Sequence, residues 1–276
     1  SSSPKQDMGI VVVDGTGKAV VLGSGVKATD IVIGADDSLN VSGSNHALEV
    51  WGDFVNNNSF VAQGGTVTFG ATSTGHIITA GASAFNHMVF NGSGGNWSFT
   101  NSTLSANDFT VTTGTVTMPT ATTTLSGSFS ATTGTFSHNN SAVLFTASSA
   151  KTINPGASSF YDLAFSGTGS WSFTSTAATR SRNTTITSGT VTMPSDTLAV
   201  GGSLLNNGGT ITHNSGTIRF TGAGAQILKL GSSSAYNLTF AGSATTTFNG
   251  TSATSTGTVT FVSGGVELPT NLTVTR

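Results

Sequence analysis

The chain contains no cysteine and very little charge. Nine Lys or Arg and eleven Asp or Glu make up 7% of its 276 residues, against about 25% in ordinary globular proteins. Without cysteine the chain belongs either to a reducing compartment or to a surface protein that never relied on disulfides. A Thr-, Gly- and Asn-rich β composition favours the second. The net charge of −2 gives no electrostatic case for binding nucleic acid. No apolar run approaches the ~20 residues needed to span a bilayer, and no signal peptide is visible. The opening on Ser1 instead of Met points to a processed or trimmed product. No Lys or Arg occurs between Lys27 and Lys151. Residues 1–150 hold eight acids and three bases, or −5; residues 151–276 hold three acids and six bases, or +3.

Gly, Ser, Thr and Asn fill the surface role usually taken by Lys and Glu. These residues disfavour helix, because they are weak helix formers or compete for its hydrogen bonds. Hydrophobic residues still make up 36% of the chain, including 17 Phe, enough for a core. The strongest signal is a repeat. Gly114-Thr115-Val116-Thr117-Met118-Pro119 recurs 75 residues later as Gly189-Thr190-Val191-Thr192-Met193-Pro194, and in worn form as Gly264-Gly265-Val266-Glu267-Leu268-Pro269. Phe54, Phe129 and Leu204 share a phase, and Asn56-Asn57 matches Asn206-Asn207. So do His138-Asn139 and His213-Asn214, the strand pairs Met88/Phe90, Leu163/Phe165 and Leu238/Phe240, and Trp97 with Trp171 after loss of one residue.

Short strands separated by turns, repeated at a fixed long period, define a repeat architecture. The expectation is an all-β parallel β-helix or β-solenoid of about three 75-residue repeats, each of about three coils with two or three strands per coil. Residues 1–47 form a divergent N-terminal arm and first coils, and residues 48–276 the repetitive solenoid. Tandem small β-sandwiches are the alternative. The absence of a Pro- or charge-rich linker and the Gly- and Asn-rich corners favour the solenoid, while a hairpin series is only partly present at Asn91-Gly92, Asn207-Gly208 and Asn249-Gly250. Asn at matching corners of successive coils would form amide ladders.

The stretches Gly65–Phe69, Asn237–Phe240 and Leu198–Gly208 resemble repeats of large prokaryotic cell-surface, adhesin-like proteins in the style of filamentous haemagglutinins. The resemblance covers about residues 48–276. It implies a surface location and a structural or adhesive role, and it supplies no catalytic residue.

Candidate chemistry is sparse. A solenoid lyase or hydrolase needs clustered acids on adjacent coils. Here the slots in phase with Asp162 hold His87 and Asn237, and Asp108 and Asp196 have no matching acid, so Asp36 and Asp37 with Asp53 form the one suggested cluster. His138 and His213 share a phase but stand too many coils apart to share a zinc ion, and they read as solvent-facing turn residues. Asp14–Lys18 reads as a turn, because it lacks phosphate-loop spacing. Gly-x-Ser-x-Gly and calcium-binding nonapeptides are absent. Asn96, Asn101, Asn183 and Asn249 begin acceptor triplets for glycosylation. The Thr-x-Thr pairs do not recur once per coil, which argues against an ice-binding face. No catalytic residue, cofactor or metal is expected.

A solenoid exposes unpaired strand edges unless a helix or loop covers them. No amphipathic helix is legible near Ile10, Val11, Val12 and Val13 or near Leu272, Val274 and Arg276. Those seven residues are therefore the expected assembly contacts of a non-enzymatic extracellular protein that stacks head-to-tail by β-augmentation into a homopolymeric filament or surface layer. The worn repeat Gly265–Leu268 marks a further place for such a contact. The alternative is an adhesin segment that binds a glycan or cell surface through exposed Trp51, Trp97 or Trp171.

Overall fold

Period-two alternation of Phe, Val, Ile and Leu with Thr, Ser and Asn dictates strands with one face inward. In the computed structural model, which describes residues 5–175 and 179–275, every regular element is a β-strand. Every strand pairing with a defined register is parallel, which makes the fold a parallel β-solenoid and excludes tandem sandwiches built from hairpins. No helix among the described residues is long and apolar enough to cross a membrane. The chain divides into two compact units, Ser1–Ser141 and Ala142–Arg276.

In the first unit each coil contributes three strands to three separate ladders. One ladder aligns Val26, Leu48, Val67, Met88, Phe109 and Phe129 in register. A second aligns Val11, Ile31, Phe54 and Ile78, and a third aligns Val20, Leu39 and Phe60. The five steps from Val26 to Phe129 span 103 residues, or 20.6 per coil. The 75-residue repeat therefore corresponds to about three and two-thirds coils, not the three expected from the sequence. The remainder is two strands of a three-stranded coil, so each copy starts on a different face. Phe129 accordingly stacks in the column of Leu48 and not in that of Phe54, its counterpart in phase.

The second unit obeys the same rule. Val143, Leu163, Thr184, Leu204, Leu228 and Phe248 form one ladder. Leu198, Ile218, Leu238 and Val259 form another. Leu163 and Leu238 match in phase but lie on different faces.

The core is a set of aromatic columns, each ring one coil from the next. Phe109 stacks on Phe129 at 5.5 Å and Phe69 on Phe90 at 4.9 Å. In the second unit Phe145 stacks on Phe165 at 5.3 Å, and Phe220 on Phe240 at 5.5 Å. These separations are close to the ~4.8 Å spacing of paired strands, so in-register Phe residues stack without strain. Trp97 and Trp171 are wholly buried. Each ring abuts a positive-φ glycine: a methyl group on Gly114 (φ +82°) or Gly189 (φ +75°) would lie 2.7 Å from the ring. The Gly-Thr-Val-Thr-Met-Pro unit is thus a corner followed by a strand. Its glycine makes room for the preceding coil's tryptophan, and its Val and Met, buried in both intact copies, face the core.

Amides occupy the core beside them. Asn56 and Asn206 are buried, whereas Asn57 and Asn207 are exposed. Asn56 Nδ2 donates to the Ala80 carbonyl (2.8 Å) and Ser83 Oγ (3.0 Å). In the second unit Asn206 Nδ2 makes the same two bonds, to the Leu230 carbonyl (2.9 Å) and Ser233 Oγ (3.3 Å). Each serine hydroxyl also accepts a backbone amide, that of Phe60 or of Ile211. These corner carbonyls also accept the amides of Ser83 and Ser233, so each asparagine adds a second donor to a carbonyl that lies outside the strand ladders.

Candidate functional site

Corners leave backbone amides outside the strand ladders, and the sparse acids are spent on them. Asp30 Oδ1 accepts the amide of Asp53 (2.8 Å), and Asp53 Oδ1 that of Ile77 (3.0 Å). Asp108 Oδ1 accepts from Ser128 at 2.6 Å. In the second unit the chain of acceptors runs from Asp162 to Asn183, Asn183 to Ser203 and Ser203 to Ile227, at 3.1, 2.9 and 2.9 Å. Asn237 accepts from Thr258 at 2.8 Å. A glycine stands just before several of these donors (Gly52, Gly127, Gly202 and Gly257), where a side chain would collide with the acceptor. In place of the expected ladder of Asn amides stands a mixed Asp/Asn/Ser series in which each side chain binds the next coil's backbone. The recurring Gly-x-apolar triplets at Gly52, Gly127 and Gly202 were its sequence signal.

Asp7, Asp36 and Asp37 also accept backbone amides, from Gly9, Gly17 and Lys18. Seven of the eleven acids therefore accept a main-chain amide. The expected cluster of Asp36, Asp37 and Asp53 is not formed. Asp53 precedes the strand Phe54–Asn56 and Asp36-Asp37 precedes Ser38–Asn40, at different corners of the coil. His87, in phase with Asp162, instead pairs with Asp108 one coil on, at 2.7 Å.

The histidines do not share one environment. His138 Nδ1 accepts the amide of Asn140 within a turn. His213 is not a solvent-facing turn residue: it is half-buried, packs 5.4 Å from the Tyr236 ring and lies 3.2 Å from Thr256 Oγ1. No group of three or more His, Asp or Glu is placed to hold a metal among the described residues. Of the four glycosylation triplets named above, Asn101 and Asn183 bond neighbouring backbone and Asn249 alone is exposed.

Four charged side chains gather around Trp51, the one tryptophan with appreciable exposure (39%). Its Nε1 donates to Glu49 Oε1 at 2.6 Å, and Lys5 Nζ donates to Glu49 Oε2 at 2.6 Å. Lys27 Nζ lies 4.7 Å from the ring centroid and 3.8 Å from Asp7. Burial pushes the Glu49 carboxyl up, but hydrogen bonds from Lys5 and Trp51, with the charges of Lys5 and Lys27, outweigh it and hold the group below its ordinary 4.5. Asp7, Lys27, Ala28, Thr29 and Trp51 line a shallow depression. The indole is covered on one side by Lys27 and lies close against Gly70, where a methyl would sit 3.3 Å from the ring. It serves as a corner plug more readily than as an open stacking platform.

Among the described residues, the strands that carry the expected assembly residues each pair on one side. Ile10 and Val12 are exposed (63% and 56%), while Val13 is buried in the strand Val11–Val13, which pairs with Ile31–Ile33. In the second unit Leu272 is half-buried and Val274 exposed, on a strand paired with Ser252–Ser255. Arg276 lies outside the described residues. The sequence reading missed Phe261 and Val262, which are 55% and 63% exposed. Phe261 stacks on Phe240 at 5.6 Å and continues the Phe220–Phe240 column. Its signal was the apolar phase of Phe220 and Phe240. Leu268, in the worn repeat, is likewise exposed.

Comparison with protein-family models, with curated proteins and with solved structures finds no match.

Proposed function

We propose that the chain is a non-enzymatic structural protein of the cell surface or extracellular space, whose solenoid coils stack head-to-tail into a filament or surface layer. The observation that carries this reading is the open aromatic column at Phe261. One ring face meets Phe240, while Phe261 and its neighbour Val262 are more than half exposed. The strand Val259–Phe261 pairs, among the described residues, only with Asn237–Phe240. A further coil laid on it in register would bury the ring and satisfy a row of amides and carbonyls. The occupant we assign is a second copy, presenting the edge at Val11–Val13. The opposite charge balance of the two sequence halves, −5 and +3, favours that pairing over like ends. The commitment of most acids to backbone amides supports a structural role over catalysis.

Electron microscopy and sedimentation of the native protein test this reading. Fibres or sheets that vanish in Phe261→Asp support it. A protein that stays monomeric at high concentration sinks it. An adhesin segment is the second reading, and it rests on the exposure of Trp51 alone, since Trp97 and Trp171 are buried. Glycan-array binding lost in Trp51→Ala would favour it.

A further inference from the structure

We propose that Asp14 and Asp37, together with the Val13 carbonyl, hold a divalent cation, with calcium the best chemical match. Asp37 is fully buried. Its Oδ1 accepts the Lys18 amide at 2.6 Å, but its Oδ2 has no donor. A buried carboxylate oxygen without a partner is costly. Among the described residues, Asp14 is the one acid whose carboxylate takes part in no hydrogen bond or ion pair, and it faces the same point. A methyl group built on Gly34 would lie 2.5 Å from Asp37 Oδ2 and 3.3 Å from both Asp14 Oδ1 and the Val13 oxygen. Three oxygens, two of them anionic, thus converge beside Gly34, whose amide donates to the Val13 oxygen at 2.8 Å and leaves that oxygen a second lone pair.

No protein cation answers them. Lys18, the nearest base in sequence, makes no ion pair within 4.0 Å among the described residues, and its aliphatic stem folds against Gly15. Asp36 adds negative charge to the same turn, with its Oδ2 bound to the Gly17 amide at 3.0 Å. Calcium takes carboxylate and carbonyl oxygens at irregular angles and fills its remaining positions with water. Magnesium requires stricter octahedral geometry, and zinc favours nitrogen or sulfur ligands, absent from this cluster. Asp14 is exposed, which gives the ion a path in. Bound there, the ion ties the Asp14–Lys18 turn to the Gly34–Asp37 corner of the next coil.

The test uses the full chain, freed of metal with a chelator and titrated with calcium chloride by calorimetry. One site per chain is expected, with a Kd on the order of 10⁻⁴–10⁻³ M, the range of extracellular calcium modules, and a raised thermal midpoint. D14N and D37N each lower the affinity at least tenfold, while D108N, at a distant corner, binds as the parent does. Because Asp37 is buried, D37N is first checked for folding by circular dichroism; D14N, at an exposed residue, keeps the test decisive. The proposal is overturned if the parent shows neither heat nor midpoint shift up to roughly 10 mM calcium. Unchanged binding by D14N, or an equal midpoint shift from sodium chloride at matched ionic strength, overturns it too. An equal affinity for magnesium overturns the calcium assignment.

Discussion

Gly189 lies directly against the indole of Trp171, so that a single methyl on its α-carbon would stand 2.7 Å from the ring and 2.6 Å from the Gly169 carbonyl oxygen. The same relationship joins Gly114 to Trp97 in the first unit. Backbone conformation and packing therefore demand glycine at the same position for two separate reasons.

Gly189→Ala should destabilise the protein by about 2–5 kcal/mol, from the left-handed backbone and the overpacked corner together. Gly224→Ala, at a glycine with open space and no positive φ, should change stability by less than about 1 kcal/mol. Chemical denaturation of both variants measures the difference. Equal effects would show that the corner yields.

Asp162 serves both the Asn183 amide and Arg182, which forms two hydrogen bonds to its carboxylate while stacking over Tyr161. The hydrogen bonds that Arg182 donates to Asp162 raise its pKa further. Asp162→Asn keeps an oxygen for the amide, as Asn237 does natively for Thr258, and should cost no more than about 1 kcal/mol. Asp162→Ala strands the amide and should cost about 1–3 kcal/mol. If both variants lose the same stability, the ion pair and not the corner acceptor is what matters.

Asn206 donates to two acceptors from inside the core. Asn206→Asp would bury a carboxylate against a carbonyl oxygen and should be the more damaging change; Asn206→Ala should cost about 1–3 kcal/mol, because the Leu230 carbonyl keeps only the Ser233 amide and the Ser233 hydroxyl loses a donor. Asn207→Asp, at the exposed neighbour, should stay within about 0.5 kcal/mol. Thermal melts of the three variants give the ranking.

Glu49 has a lowered pKa in the folded protein. A lowered carboxyl pKa means that the unfolded chain binds the proton more readily. Its contribution is therefore complete well above the ordinary 4.5 and is lost as pH falls below that value through the folded pKa. Glu49→Gln should lower stability at neutral pH and flatten the acid limb of the profile, so that variant and parent converge at low pH. An unaltered acid limb would contradict this.

Local alternation of apolar and polar residues was enough to predict strands, parallel coils and an inward face for Val191, Met193, Phe165 and Phe240, because side-chain direction in a strand depends only on sequence parity. The same alternation could not separate Asn56 from Asn57, since both fit a corner and burial there depends on where the next coil places a carbonyl and a serine hydroxyl. Nor could it show that Trp97 and Trp171 face the core while Trp51 plugs a surface corner.

The 75-residue period was determined by the sequence alone, being a matter of matching residues. How that period wraps was decided only by the tertiary structure. A coil closes where corners turn, after three strands and about 21 residues, and this length does not divide 75 evenly. Phe54 and Phe129 are thus equivalent in sequence yet stand on different faces, and Asp14 meets Asp37 although nothing in their spacing announces it. Lateral stacking brings together residues about one coil apart, and its register is set by hydrogen bonds between backbones that leave no mark in composition or period.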